Sequence, residues 1–111
     1  MSASIEDLRR LDVRAGTVVR CEPTPKARNP ASKLWIDLGS EIGTLSSSAR
    51  ITDLYAPAEL VGRQVLGVVN LALRQVGPFR SEVLTLGVYE AEDVGVRVRP
   101  DRPVPDRSRL G

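Results

Sequence analysis

Arginine carries the clearest chemical signal in this 111-residue chain. Of its 16 basic residues only Lys26 and Lys33 are lysine. The planar guanidinium forks onto phosphate oxygens and stacks on flat rings, and lysine adds a compact charge, so this composition suits contact with phosphodiesters. Fourteen acidic residues hold the formal charge at +2, so any such contact must come from local clustering. The chain has no histidine and one cysteine, Cys21. That excludes a Ser-His-Asp triad, histidine-bearing metal sites, a thiolate zinc cage and an internal disulfide, and it removes the commonest general base. Paired carboxylates find no supporting motif. A non-enzyme is expected, with no catalytic residue, no metal and no cofactor.

The elements that must position the basic residues follow from periodicity. Ser4 to Leu11 predicts a short helix, with Ser4 as cap, Asp7 completing a capping-box-like pattern, and Ile5, Leu8 and Leu11 on one face. Asp12 to Cys21 then alternates with period two. Val13, Ala15, Thr17 and Val19 point one way; Arg14, Gly16, Val18 and Arg20 point the other. Gly16 suggests a bend or bulge there. Three prolines make Glu22 to Ser32 a loop. Lys33 to Leu38 alternates again, with Leu34, Ile36 and Leu38 inward and Trp35 outward.

Gly39 to Gly43 reads as a turn, and Thr44 to Ala49 as a serine-rich strand. Thr52 to Leu60 predicts a short helix interrupted at Pro57 and ending at Gly62. Gln64 to Asn70 is an apolar strand, Arg74 to Arg80 a loop around Gly77-Pro78, and Ser81 to Leu86 another alternating strand. Val96 to Arg99 forms a brief strand before an irregular tail with Pro100, Pro103 and Pro105. The fold class is therefore all-β: a five-stranded Greek-key OB-fold barrel with a short helix between strands three and four, an N-terminal helix and a C-terminal extension. One domain over 1–111 is expected, with the barrel at about 12–99.

OB-folds bind oligonucleotides across strands two and three and between the loops joining strands one to two and four to five. Those loops place Lys26, Arg28 and Lys33 opposite Arg74 and Arg80. Two positively charged loops converging on one face support phosphate contact, which gives affinity without sequence information. Trp35 on the outer face is either a stacking platform for a base or a residue packed under a loop. Tyr55, Phe79 and Tyr89 are too scattered for an aromatic ladder. The arginines of the tail (Arg97, Arg99, Arg102, Arg107, Arg109) are interleaved with Asp101 and Asp106, which makes them a weaker RNA-binding arm.

Several segments closely resemble the CsaA family: Leu11 to Val18, Pro25 to Arg28 with Pro30 to Leu34, Ser47 to Thr52, Gln64 to Asn70, and above all Ser81-Glu82-Val83-Leu84-Thr85-Leu86-Gly87. Pro100-Asp101 and Val104 to Asp106 are similar as well. The resemblance implies a homodimeric tRNA-binding OB domain of the kind appended to methionyl-tRNA synthetases. It also implies an export-related chaperone that binds unfolded or pre-secretory proteins. Ser81 and Leu84 correspond to positions implicated in tRNA binding, with leucine standing where related domains often have methionine. Arg50 stands where glutamine is common and Leu45 where lysine is common. Arg50 joins Lys26, Arg28, Lys33, Arg74, Arg80, Ser81 and Leu84 as the expected RNA-binding set.

Leu71-Ala72-Leu73 replaces the family's aromatic and Pro-Pro step. With Trp35, the side chains of Leu71 and Leu73 are candidates for contact with a polypeptide. A serine and a glutamate at a strand start also fix loops by hydrogen bonding, and for Glu82 this structural role is favoured because a carboxylate repels phosphate. The stripe Ile5, Leu8 and Leu11 and the tail beyond Pro100 are expected to pack across a two-fold axis in a homodimer. No window reaches the roughly 20 apolar residues of a membrane helix. MSASIEDLRR lacks a secretory signal's apolar run, so a cytoplasmic location is expected.

Overall fold

A computed structural model of the protein describes residues 1–23, 32–49, 55–91 and 94–111. Five strands curl into the barrel: β1 (Val13–Pro23), β2 (Ser32–Asp37), β3 (Thr44–Ala49), β4 (Gln64–Val68) and β7 (Leu84–Thr85), hydrogen-bonded in the order β3-β2-β1-β4-β7. All pairings are antiparallel. The last strand returns to the first edge. Ser47 and Thr85 share a side-chain hydrogen bond of 2.7 Å, and the Glu82 and Val83 N–H groups both donate to the Ser46 carbonyl. This nearly closes the sheet and leaves little unpaired edge. Helix α2 (Pro57–Leu60) lies between β3 and β4, as the sequence predicts.

The inward residues of β2, Leu34 and Ile36, are fully buried with Val18, Leu38, Leu60, Val65 and Val83. Leu60 is delivered by the single turn of α2, where Glu59 accepts a hydrogen bond from the Ala56 N–H. Aliphatic side chains that alternate with polar ones thus account for most of the core.

Strand β1 departs from strict alternation. Its register against β2 slips between Val18 and Arg20, so Val18 faces the core while Val19 is left 48% exposed. The expected shared face of Val18 and Arg20 is therefore incorrect: Val18 pairs with inward Ile36, Arg20 with outward Trp35. A bulge turns every later side chain over. It falls beyond Gly16, whose role is different: Ile36 and Leu38 pack directly on its backbone.

Two hairpins were not legible as such. Arg74 to Arg80, expected as a loop, is a hairpin of β5 (Arg74–Val76) and β6 (Phe79–Ser81) turning through Gly77 at φ +58°. The strand expected at Val96 to Arg99 is β9 (Val94–Arg97), paired with β8 (Gly87–Ala91).

Helix α1 (Ile5–Arg9) has the predicted capping box: Ser4 Oγ accepts from Asp7 N–H, and the Asp7 carboxylate accepts from Ser4 N–H. Asn70 ties this end to β4 by accepting from Asp12 N–H and donating to the Arg10 carbonyl, both at 2.8 Å. The tail extends the sheet along the part of β1 that β2 does not reach. Ala15 donates to the Ser108 carbonyl and accepts from Arg107, while Leu110 donates to the Val13 carbonyl. The Thr17 hydroxyl also donates to Asp106 at 2.7 Å.

Candidate functional site

Register sets the composition of the outer face of β2 and β3. Lys33 pairs with Ser48, Trp35 with Ser46 and Asp37 with Thr44, so these side chains share the side away from the core. Across the other edge of β2, the bulged register sets Arg20 opposite Trp35. The β5–β6 hairpin leans onto this face and adds Phe79.

The result is a continuous cation–aromatic array. The Arg20 guanidinium lies 4.7 Å from the Trp35 ring centre, Trp35 meets Phe79 edge-on at 5.8 Å and 82°, and Lys33 Nζ lies 5.3 Å from the Phe79 ring. Each contact is a favourable match of charge to ring quadrupole. Phe79 therefore does not stand apart from Trp35, contrary to the expectation that the aromatics are too scattered. Arg20 was not among the expected site residues either. Arg20 also pairs with Glu22, which keeps its side chain over the sheet.

A serine–glutamate cluster fixes the hairpin. Ser46 Oγ donates to the Arg80 carbonyl at 2.6 Å, and the Glu82 carboxylate accepts from both the Ser46 N–H and its hydroxyl. The backbone N–H of Ser46, then its hydroxyl, hold the Glu82 carboxyl below its ordinary value, with a smaller contribution from Arg80 and with burial opposing. A depressed carboxylate stabilises the fold at pH above its unfolded value, and that contribution is lost as pH falls through the lower folded value. Glu82→Gln is accordingly expected to be less stable than the native chain at neutral pH, with the gap closing below the usual glutamate value of 4.5. Urea unfolding from pH 6 to pH 3 checks this.

Ser81 is buried. Its Oγ accepts from the Ser48 N–H at 3.1 Å and lies 3.4 Å from the Val83 carbonyl. Both residues thus hold the start of the last barrel strand against β3.

Of the expected RNA-binding set, Lys33 sits in the array, and Arg80 adjoins it through the β6 backbone. Arg74 and Leu84 lie on the rim. They line both a small groove of about 160 Å³ with Leu71, Ala72 and Val83, and a wider one of about 370 Å³ with Ser48, Thr85 and Tyr89. Leu71 and Leu73, of the expected polypeptide-contacting set, are exposed, and Leu71 helps wall the smaller groove. Lys26, Arg28 and Arg50 lie outside the described residues. Ile5, Leu8 and Leu11 are 41–56% exposed. Among the described residues no group of three side chains can hold a metal, and no helix is long and apolar enough to cross a membrane.

A five-stranded OB-type barrel whose outer face carries two rings flanked by cations defines a binding module. The chain belongs to the tRNA-binding domain family: residues 13–108 match the model described as "Putative tRNA binding domain". More particularly, its fold is similar over its whole length to that of the chaperone CsaA from Bacillus anthracis, at 40% identity, TM-score 0.94 and complete coverage of both chains. The CsaA chaperone protein of Picrophilus torridus is 33% identical, with TM-score 0.89 over 99% of this chain and 100% of that one. Methionine–tRNA ligases of Bacteroides fragilis and Flavobacterium johnsoniae are 36% and 34% identical over 105 and 101 residues, or 95% and 91% of this chain. The chain spans only 15% and 14% of those ligases.

Proposed function

We propose that this protein is a non-catalytic, homodimeric RNA-binding module that grips tRNA through its phosphates and stacks an unpaired base on the Trp35–Phe79 face. The observation that carries this reading is the array Arg20–Trp35–Phe79–Lys33 on the outer face of β2. Rings accept any base, and the flanking charges meet the backbone on either side. Lys33, Arg74 and Arg80 supply phosphate contacts, joined by Lys26, Arg28 and Arg50 of the sequence reading. Family membership and the methionine–tRNA ligase relatives support tRNA as the partner.

Filter retention of tRNA at rising salt tests it. Log K should fall linearly with log salt, with a slope of roughly −0.7 to −0.9 per phosphate neutralised. Absence of retention at low salt would overturn the reading. Dimerisation rests on the stripe Ile5, Leu8 and Leu11, which the described residues leave 41–56% exposed. Light scattering at micromolar concentration should return twice the chain mass.

A second reading, a chaperone that holds unfolded polypeptide, is favoured by the exposed side chains Leu71 and Leu73 beside the small apolar-walled groove, and by the CsaA likeness. It predicts that stoichiometric dimer suppresses aggregation of an unfolded client and that Leu71→Ser with Leu73→Ser abolishes the suppression while tRNA retention persists.

A further inference from the structure

The fold collects a second group of arginines away from the Trp35 face. Arg63 follows α2, Arg97 ends β9, and Arg99 and Arg102 open the tail. Two adjoining grooves, of about 350 and 280 Å³, share Arg63, Arg97 and Arg99, and Arg102 lines the larger. In sequence these residues span forty positions, from the turn after α2 to the tail; the packing of the β9 end beside β4 brings them together. That packing is fixed by backbone bonds from Leu66 N–H to the Val98 carbonyl and from Val98 N–H to the Leu86 carbonyl.

Arg97 is held rather than free to sweep. Its Nε donates to the Gln64 carbonyl at 3.2 Å, and its guanidinium lies 5.3 Å from the centre of the Tyr55 ring. Gln64 is itself clamped by donating to, and accepting from, the Val104 backbone. The acidic residues interleaved in the tail do not all neutralise this group. Asp106 is engaged by Thr17, and the one arginine of the tail with an ion-pair partner among the described residues is Arg107, which pairs with Glu41. Asp101 is the one carboxylate lining the larger groove, against four guanidinium groups across the pair. No ion pair among the described residues engages Arg63, Arg97, Arg99 or Arg102.

We infer that these grooves form a second phosphodiester-binding site, independent of the Trp35 face, that takes the sugar–phosphate backbone of a nucleic acid without reading bases. Both grooves are open to solvent, and the larger is lined by Pro100 and Pro103 as well as its arginines, which suits a strand running along them. The guanidinium groups come from the turn before β4, from the end of β9 and from the tail, so that more than one phosphate can be met, and one of them is already oriented. Only one aromatic, Tyr55, lines the pair, and Arg97 covers it, so base stacking plays no part here.

The test is a titration of the full-length, isotope-labelled protein with an abasic hexanucleotide, which offers phosphates and no bases, followed by backbone amide NMR. Shifts are expected at Arg63, Gln64, Arg97, Arg99, Asp101 and Arg102, saturable at low salt and abolished in Arg63→Gln/Arg99→Gln/Arg102→Gln. This variant leaves the Arg97 hydrogen bond intact and should keep the native spectrum elsewhere. Absence of saturable shifts in this group, or shifts that survive the triple substitution, overturns the inference. Shifts here in a protein that fails to retain tRNA would sink the reading of the Trp35 face alone.

Discussion

Replacing Gly16 with valine is expected to destabilise the protein by about 3 kcal/mol, the upper part of the range for overpacking a well-packed core. A Cβ at this position would lie 2.5 Å from Ile36 Cγ2, 2.8 Å from Leu38 Cδ2 and 2.9 Å from the Asp37 carbonyl oxygen. Ile36 and Leu38 are each 1% exposed, so neither side chain has anywhere to withdraw. The third obstacle is backbone, fixed by the Thr17–Asp37 pairing of β1 with β2. Gly67 is a milder case in number of obstacles only: its Cβ would meet one atom under 3.0 Å, Val83 Cγ2 at 2.7 Å, although Val83 is itself 2% exposed. Gly77, in the hairpin turn at φ +58°, has open space around it, and a side chain there costs only local strain. For a domain of this size each kcal/mol moves the midpoint by roughly 4–8 °C, so Gly16→Val should lower Tm by more than about 10 °C. Calorimetry showing a loss under about 4 °C would mean that the barrel relaxes around the added carbons.

The barrel was readable because its inward positions are aliphatic and period-two. Leu34, Ile36, Val65 and Val83 announce themselves in this way, and their burial follows. What escaped was anything set by register. Arg20 and Trp35 are fifteen positions apart, and they meet only because β1 slips one residue between Val18 and Arg20. Alternation alone, run through from Val13, sets Arg20 on the core-facing side of Val18, which is the wrong one. Phe79 escaped for another reason. Its segment is short, exposed and interrupted by Gly77-Pro78, which reads as a loop, and only the grip of Ser46 on Arg80 and Glu82 lays that segment on the sheet. The second arginine group escaped because one of the two acidic residues interleaved with the tail arginines, Asp106, turns to Thr17, which leaves Asp101 as the one carboxylate lining the larger groove. Charge interleaved along a chain need not be interleaved in space.

Trp35→Ala is expected to weaken RNA binding by about 1–3 kcal/mol, roughly five- to 150-fold, if one base stacks on this ring. Two effects of the substitution must be separated. The indole is half-buried on the outer face between Arg20 and Phe79, so removing it also loosens both neighbours. Loosening changes how firmly the cations are held, whereas their number stays the same. The slope of log K against log salt counts phosphates neutralised, and should therefore match the native protein while the affinity falls at every salt concentration. Lys33→Gln should do the reverse, lowering the slope by nearly one unit with stacking preserved. Trp35→Phe, which keeps an aromatic face, should recover much of the loss. Trp35 is also the chain's one tryptophan, so its fluorescence reports the contact directly. Quenching on addition of tRNA, saturating at the concentration where filter retention saturates, is the expected signature. Unchanged fluorescence of the native protein on adding tRNA, together with unchanged affinity in Trp35→Ala, would confine the RNA to the phosphate contacts of Lys33, Arg74 and Arg80, and would leave the aromatic pair as packing for the hairpin.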